Sequence, residues 1–156
     1  MEKIVNLTQH TASEEQQLAG VVEPVEKERV KTLLTFEELP TLEMMRERAA
    51  ELADIAAAEK MDAAMIGGAP YFMAPLEVAL LWKGVKPLYA FSRRETVEEQ
   101  LPEGGVRKTA VFRHLGFVEA ATRRWTDRYF NSREQVDAPL RVVSVPPRWE
   151  RDIREW

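Results

Sequence analysis

The sequence predicts an α/β protein, with a small, mostly parallel sheet, flanking helices, an antiparallel hairpin and a C-terminal arm. Three observations lead to this fold class. Short apolar runs alternate with longer amphipathic segments, as strands and helices do in a parallel sheet. A glycine pair ends one of those runs just before a proline that fits a first helical turn. The turn Pro102–Gly105 separates two further extended segments, which predicts the hairpin.

The central unit is a predicted strand, glycine turn and helix. Ala63–Ile66 is a short apolar strand, and it ends at Gly67–Gly68. The following helix is predicted over Pro70–Lys83, where apolar side chains recur at helical spacing, and Gly84 ends it. The strand therefore ends where a helix begins, which is typical of a parallel βαβ unit.

The next predicted strand, Pro87–Phe91, ends in a basic loop that contains Ser92, Arg93 and Arg94. The carboxyl ends of parallel strands meet at the same edge of a sheet, so we expect this loop to lie beside the glycine turn. Backbone amides at a helix N-terminus and guanidinium groups would together bind a phosphate there. The pattern thus predicts an anion-binding edge.

The amino-terminal segment adds a strand, a polar loop and a short helix. Lys3–Leu7 is the strand, and the loop Asn6–Thr11 reaches the same edge as the glycine turn. Ser13 and Gln16 form a predicted capping box. The loop has two interpretations, helix capping with a polar surface or contact with a ligand. His10 favours contact, because a histidine between a strand and a cap has no evident structural role.

The connection to the central unit contains a short strand and two helical segments. Val21–Val22 is the strand, and Val25–Phe36 is weakly amphipathic and is expected to contribute packing only. Thr41 caps the longest helix, whose charged face we interpret as solvated. This helix leads into the central strand and completes an alternation that favours right-handed crossovers.

After Arg94 the sequence no longer alternates predicted strands with predicted helices. Glu95–Leu101 and Val106–Val118 flank the turn, and this hairpin either extends the sheet or reaches a partner subunit. Its second arm carries Arg113 and His114 between aromatic residues, which is also typical of a charged edge strand that discourages pairing.

Residues 1–119 form the predicted domain, and residues 120–156 form a C-terminal extension. The extension is rich in arginine and aromatic residues, which protein interfaces over-use. Interspersed acidic residues disfavour stacking on bases, so we interpret it as a docking or dimerisation arm.

Composition excludes several classes of protein. The chain has 156 residues, is 45% hydrophobic and carries a formal net charge of −4, which disfavours binding to duplex nucleic acid. It has no cysteine and two histidines, so disulfides, thiolate zinc sites and a cysteine nucleophile are excluded, and no metal is predicted. With no leader or membrane span in the sequence, we expect a soluble, cytoplasmic protein.

Three stretches resemble a small CRISPR-associated, CARF-like family of type III interference systems, regarded as ring-nuclease-like. His10 and the turn after it match the family's first strand-and-turn segment, with Ser13 where threonine is usual. Gly67 fits the family's glycine loop, but Gly68–Pro70 departs from its acidic continuation. The segment Pro87–His114 is the most similar, and residues 120–156 have no counterpart. The matches in that segment are Tyr89-Ala90, Arg94-Glu95, Gly104-Gly105 and Val111–His114.

The resemblance implies a Rossmann-like homodimer, with a part in antiviral defense, that binds a cyclic oligoadenylate. It further implies cleavage of that ring without metal or other cofactor. A ribose 2′-hydroxyl would attack the neighbouring 3′-phosphate and leave a 2′,3′-cyclic phosphate. Such a reaction needs positioning and charge stabilisation more than a strong nucleophile.

The resemblance also implies roles for individual residues. Arg94 and Arg113 would hold phosphates, and His10 or His114 would act as general acid or base. Further ligand contacts are expected from three groups of residues, in the amino-terminal loop, the glycine turn and the basic loop. These are Asn6, Thr8, Gln9, Gly67, Gly68, Ala69, Ser92 and Arg93.

Two other functions fit the same sequence. The first is a sensor or sponge, which would bind a cyclic nucleotide without cleaving it. The second is an adaptor that acts through the arginine- and tryptophan-rich arm.

Overall fold

The computed structural model describes residues 2–120, and the predicted C-terminal arm lies outside them. Each predicted strand and helix of the described region is present. None of its helices is long and apolar enough to cross a membrane. In chain order the elements are β1 (Ile4–Leu7), α1 (Glu14–Leu18), β2 (Val21–Val22), α2 (Lys27–Leu34), α3 (Leu42–Ala58), β3 (Ala63–Ile66), α4 (Pro70–Trp82), β4 (Lys86–Gln100) and β5 (Val106–Glu119).

The strands form one five-stranded sheet in the order β2-β1-β3-β4-β5. The pairs β1–β2, β1–β3 and β3–β4 are parallel, and β4–β5 is antiparallel. Leu7 of β1 pairs with Ile66 of β3, which pairs with Tyr89 of β4. Leu7 and Ile66 end β1 and β3 and therefore lie side by side, next to Tyr89 of β4, and the predicted fold class is confirmed.

Buried side chains form two clusters that take alternate residues of β1 and β3. The larger cluster joins Leu7 and Ile66 to side chains of α2, α3 and α4, including the fully buried Phe72. The smaller cluster contains Met65 together with Ala12, which precedes the N-cap of α1. The central strands are thus buried on both faces, as expected for parallel strands.

The helix ends follow the capping signals in the sequence. Ser13 and Gln16 form the predicted capping box at α1, and the side chain of Thr41 accepts a hydrogen bond from the backbone of α3. Helix α4 begins at Pro70, and its N-cap, Ala69, provides no side-chain hydrogen bond. Gly84 follows its C-cap with a φ of +74°, a conformation that glycine adopts without steric cost.

Strand β4 joins the predicted strand Pro87–Phe91 to the predicted hairpin arm that begins at Glu95, and this corrects one expectation. Only its first four residues, Lys86–Tyr89, pair with β3, whereas the pairing with β5 continues to Gln100. Ser92, Arg93 and Arg94 are therefore strand residues, so their predicted position in a loop is wrong. Beyond the sheet the two strands form a two-stranded ribbon (Ala90–Gln100 with Val106–Phe117), which has an irregular register between Phe91 and Ser92.

Ion pairs across the strands accompany this extension. Lys108 Nζ lies 3.1 Å from Glu98 Oε1, and Arg113 Nε donates to Glu95 Oε2 at 2.9 Å. The ribbon residues of β4 are mostly charged or polar on both faces, so the sequence lacks the apolar alternation that marks a half-buried strand.

Candidate functional site

A pocket of about 380 Å³ lies at the carboxyl ends of β1 and β3, beside Tyr89–Ala90 of β4. The loop after β1 contributes Thr8, Gln9 and His10 to its lining. The turn after β3 contributes Gly67–Gly68, and β4 contributes Tyr89–Ala90. The pocket is therefore built by the loops that follow β1 and β3 and by two strand residues of the adjacent β4.

This edge coincides with a reversal of the strand order. After β1 the chain continues through α1 to β2 on one side, whereas after β3 it continues through α4 to β4 on the other. The loops that follow β1 and β3 separate at this point and leave a crevice between them. Open α/β sheets bind their ligands in such crevices.

The loop after β1 is organised by the side chain of Asn6, which is fully buried. Its Nδ2 donates to the backbone carbonyl of His10 and to Glu23 Oε1, both at 2.8 Å. Its Oδ1 accepts from the backbone nitrogen of Thr8 at 3.1 Å and from the Thr8 hydroxyl at 2.7 Å. Since the amide's hydrogen-bonding capacity is used within the protein, Asn6 shapes the loop and does not face the ligand space.

Lys27, in the first turn of α2, holds the same loop from outside. Its Nζ donates to the backbone carbonyls of Asn6, Thr8 and His10 at 3.3, 2.9 and 3.1 Å. The same ammonium group lies 2.8 Å from Glu23 Oε2. Four acceptors thus share its three protons, and Glu23 also neutralises its positive charge.

Glu23 joins the two parts of this network. Besides Asn6 and Lys27, it accepts a hydrogen bond from the backbone nitrogen of Ala12 at 2.7 Å. Partial burial acts to raise the pKa of Glu23, but the hydrogen bonds from Lys27, Ala12 and Asn6 outweigh it and lower that pKa. The carboxylate therefore stays ionised and fixes both ends of the loop.

The turn after β3 approaches the loop after β1 closely. A Cβ placed on Gly67 would lie 3.7 Å from Thr8 Cγ2. Gly68 has a φ of +151°, which side chains with L configuration rarely adopt. Together with the uncapped N-terminus of α4 at Ala69, the turn provides backbone donors and the positive end of a helix dipole.

Tyr89 forms part of the pocket and is tied to α4. Its hydroxyl donates to Glu77 Oε1 at 2.5 Å. Burial and this hydrogen bond raise the pKa of Tyr89, so the phenol stays protonated. The position of its ring is thereby fixed by both β4 and α4.

The sequence-predicted site residues divide into two groups. Five of them line the pocket, whereas Asn6 lies in β1 and Ala69 is the N-cap of α4, both outside the lining. The five are Thr8, Gln9, His10, Gly67 and Gly68. Within the described region these residues form a continuous site, which supports the predicted juxtaposition of the two turns.

The other predicted residues lie on the ribbon, outside the lining of the pocket. Arg94 follows Ala90 by four positions along an extended strand, a distance of about 13 Å at ~3.3 Å per residue. Arg93 and Arg113 both contact the carboxylate of Glu95, at 2.9 Å in each case. Ser92 lies in the same stretch of β4. Because β4 runs on into the ribbon, these side chains do not meet the glycine turn as predicted.

His114 has a different environment again. Its ring packs against Phe117 with a centroid distance of 4.7 Å, and its backbone nitrogen donates to Glu15 Oε2 at 2.9 Å. Neither ring nitrogen has a hydrogen-bond partner within the described part of the chain, although both are buried. His114 therefore belongs to the base of the ribbon, whereas His10 belongs to the pocket.

Sequence reasoning missed Lys27 and Glu23, which hold the loop that carries His10. The segment from Val25 was expected to contribute packing only. The signal that could have indicated them is the i, i+4 spacing of an acid and a lysine at the start of a helix. That spacing is common on solvated helices, so it does not by itself predict contacts to a distant loop.

Within residues 2–120, no group of three or more histidine, aspartate or glutamate side chains is arranged to hold a metal ion. No curated protein and no solved structure matches the chain. Residues 2–118 match the family described as the uncharacterized protein MJ1673 family. Because that match covers well over half of the sequence, the chain belongs to the uncharacterized protein MJ1673 family.

Proposed function

We propose that the protein binds a cyclic oligoadenylate in the pocket at the carboxyl edge of its sheet. The observation that carries this proposal is the position of the pocket, at the reversal of strand order between β1 and β3. Open α/β sheets bind nucleotides at that position. The resemblance of three stretches to the CARF-like family supplies the ligand class.

The lining offers suitable groups for the parts of a nucleotide. Thr8, Gln9 and Gln16 provide hydroxyl and amide groups that would contact ribose or base. The turn Gly67–Gly68 and the N-terminus of α4 would receive a phosphate through backbone N–H groups. Recognition would then rest on hydrogen bonds and on the helix dipole.

In the catalytic form of the proposal, the ligand supplies its own nucleophile. The ribose 2′-oxygen forms a bond to the adjacent phosphorus, and the bond from phosphorus to the 5′-oxygen of the next nucleotide breaks. The proton leaves the 2′-hydroxyl, and the departing 5′-oxygen receives one. The products carry a 2′,3′-cyclic phosphate and a 5′-hydroxyl, so no oxidant, reductant or water is consumed.

His10 is the residue we assign to proton transfer. It lines the pocket, and its backbone carbonyl is held by the side chains of Asn6 and Lys27. A positioned general acid or base contributes about 10²–10⁴-fold to a rate. The assignment favours His10 over His114, because His114 packs against Phe117 outside the lining.

The size of the pocket bears on the oligomeric state. Its volume of about 380 Å³ lies near the lower end of the ~300–1,000 Å³ typical of small-molecule sites. It would therefore hold part of a cyclic oligonucleotide, and a second copy would hold the symmetry-related part. A symmetric ring fits an isologous homodimer for this reason.

A direct test incubates the purified protein with cyclic tetra- and hexa-adenylate in the presence of EDTA, followed by chromatography. We expect a linear product from one ring, and a rate at least about 10²-fold lower for His10→Ala with binding retained. The matched control is His114→Ala, which should cleave at the wild-type rate. Absence of binding to either ring by calorimetry would contradict the whole proposal.

One observation favours a second candidate, a sensor or sponge that binds without cleavage. Among the described residues that line the pocket, none is lysine or arginine, so no side-chain cation is in place to stabilise a phosphorane dianion. Recovery of intact ligand after long incubation, with tight binding, would identify this function. The predicted adaptor function of the C-terminal arm lies outside the described residues.

A further inference from the structure

The ribbon leaves one long backbone edge of β4 unpaired within the described region. From Ala90 onward β4 pairs only with β5, since its pairing with β3 ends at Tyr89. Two-stranded ribbons are marginally stable alone in water, and an unpaired edge is a template for another strand. The ribbon also exposes large apolar side chains, among them Phe112, which is 72% exposed.

The charges along this edge have a self-complementary order. Arg93 and Arg94 precede Thr96, and Glu98 and Glu99 follow it at the same spacing. If two copies of β4 pair antiparallel about a two-fold axis at Thr96, Arg94 lies opposite the partner's Glu98. Arg93 then lies opposite the partner's Glu99. The symmetry repeats each contact, so four opposite-charge pairs form along one edge.

Neighbouring registers lose this complementarity. An axis at Glu95 places that carboxylate opposite its own copy, and an axis at Val97 places Glu95 opposite the partner's Glu99. Like charges directly across a sheet are destabilising. Registers centred much further along the strand pair fewer residues, because β3 occupies the edge up to Tyr89 and the turn follows Gln100.

We infer that two copies of this chain pair edge to edge through β4, antiparallel and centred on Thr96. The result is a four-stranded sheet in the order β5-β4-β4-β5. In this sheet Glu98 lies between Lys108 of the same chain, whose Nζ is 3.1 Å from Glu98 Oε1, and the partner's Arg94. Arg94 faces the uncharged Phe112 across its own ribbon, so the proposed contact gives its guanidinium a charged neighbour directly across the sheet.

A charge-exchange experiment tests both the interface and its register. Arg94→Glu would place glutamate opposite the partner's Glu98, twice per dimer. The double variant Glu98→Arg with Lys108→Glu keeps an ion pair within the ribbon but places arginine opposite the partner's Arg94. When the two variants are mixed, they can form a heterodimer. In it each of the four charged pairs between the two β4 strands again joins opposite charges. The matched control is Arg46→Glu, an equal change of charge on the exposed face of α3.

The readout is the dimer dissociation constant from sedimentation equilibrium, without nucleotide. We expect each interface variant alone to dimerise about tenfold or more weakly than wild type. The mixture of the two variants and the Arg46→Glu control should dimerise as tightly as wild type. A wild-type protein that stays monomeric at the highest soluble concentration would overturn the inference. So would variants that dimerise like wild type, or a mixture that stays monomeric. Calorimetry with a cyclic oligoadenylate tests the pocket separately, so failure of one proposal is distinguishable from failure of the other.

Discussion

The ammonium nitrogen of Lys27 lies 2.9 Å from the backbone carbonyl oxygen of Thr8. One helix thereby fixes a loop that follows a strand nearly twenty positions earlier in the chain. Three carbonyls share this donor, and Glu23 balances its charge. The shape of the pocket consequently depends on a residue that does not line it.

Replacement of Lys27 by methionine keeps most of the apolar part of the side chain but removes its ammonium group. We expect a loss of about 1–3 kcal/mol in the free energy of unfolding, because loop carbonyls and Glu23 lose a partly buried partner. Urea denaturation measures this loss. The matched control is Lys31→Met in the same helix, whose exposed pair with Glu28 should contribute about 0–1 kcal/mol. Equal losses in the two variants would show that Lys27 has no special role.

Asn6→Asp replaces the NH₂ group of the buried amide by a carboxylate oxygen. The new oxygen would face the carbonyl of His10 and the carboxylate of Glu23, where Nδ2 now donates. We expect a loss of about 3 kcal/mol or more, because two acceptors lose their donor and two carboxylates meet. Gln9→Glu makes the same chemical change at an exposed position of the same loop and should cost far less. Thermal unfolding of the two variants gives the comparison.

Stability should fall in acid partly through Glu23. Its pKa is lowered in the folded protein from an ordinary value near 4.5, so the folded state binds this proton less readily than the unfolded state. The stabilisation is therefore complete above the unfolded pKa and is lost as the pH falls through the folded pKa.

Urea midpoints measured from neutral pH into the acid range should show this loss. Glu95, whose pKa is lowered by Arg113 and Arg93, also makes the stability fall in acid. The pH dependence of the wild-type stability must therefore be compared with that of Glu23→Gln. We expect a shallower dependence on pH in that variant, and an unchanged dependence would contradict the role given to Glu23.

The two glycines of the β3 turn should respond differently to alanine. Gly67→Ala places a methyl group at ordinary contact distance from Thr8, so the fold should be kept, with a change within about 0.5 kcal/mol. Gly68→Ala forces a side chain into a φ of +151° and should cost about 1–3 kcal/mol.

Nucleotide binding separates the functional role from the structural one. Gly67→Ala should weaken calorimetric binding of a cyclic oligoadenylate although it is stable, because its methyl group narrows the approach to the turn. Unchanged binding by a stable Gly67→Ala protein would show that the ligand does not approach this glycine.

The sequence predicted the sheet because its central strands are short, apolar and ended by recognisable signals. The capping box at Ser13, the glycine turn after Ile66 and Gly84 after α4 each act within a few residues. Such local signals depend on backbone conformation and hydrogen bonding near one position, so they can be identified without knowledge of the fold.

The predictions that failed, or were not made, depend on contacts distant along the chain. The continuation of β4 through Ser92–Arg94 into the predicted hairpin arm involves pairing with β5 and ion pairs such as Arg113 with Glu95, which no periodicity indicates. The role of Lys27 follows from the geometry that brings α2 beside the loop after β1. His10 and the glycine turn were brought together as predicted, because strand ends in a parallel sheet share one edge.

The composition of the pocket lining has a consequence for ionic strength. Proteins that bind nucleic acids through lysine and arginine release counterions, and their affinity falls steeply as salt is added. Here the described lining presents hydroxyl, amide and backbone groups, and the nearby ammonium group of Lys27 is balanced by Glu23. Affinity for an anionic ligand should therefore change little with added salt, which distinguishes a pocket of dipoles from a basic surface.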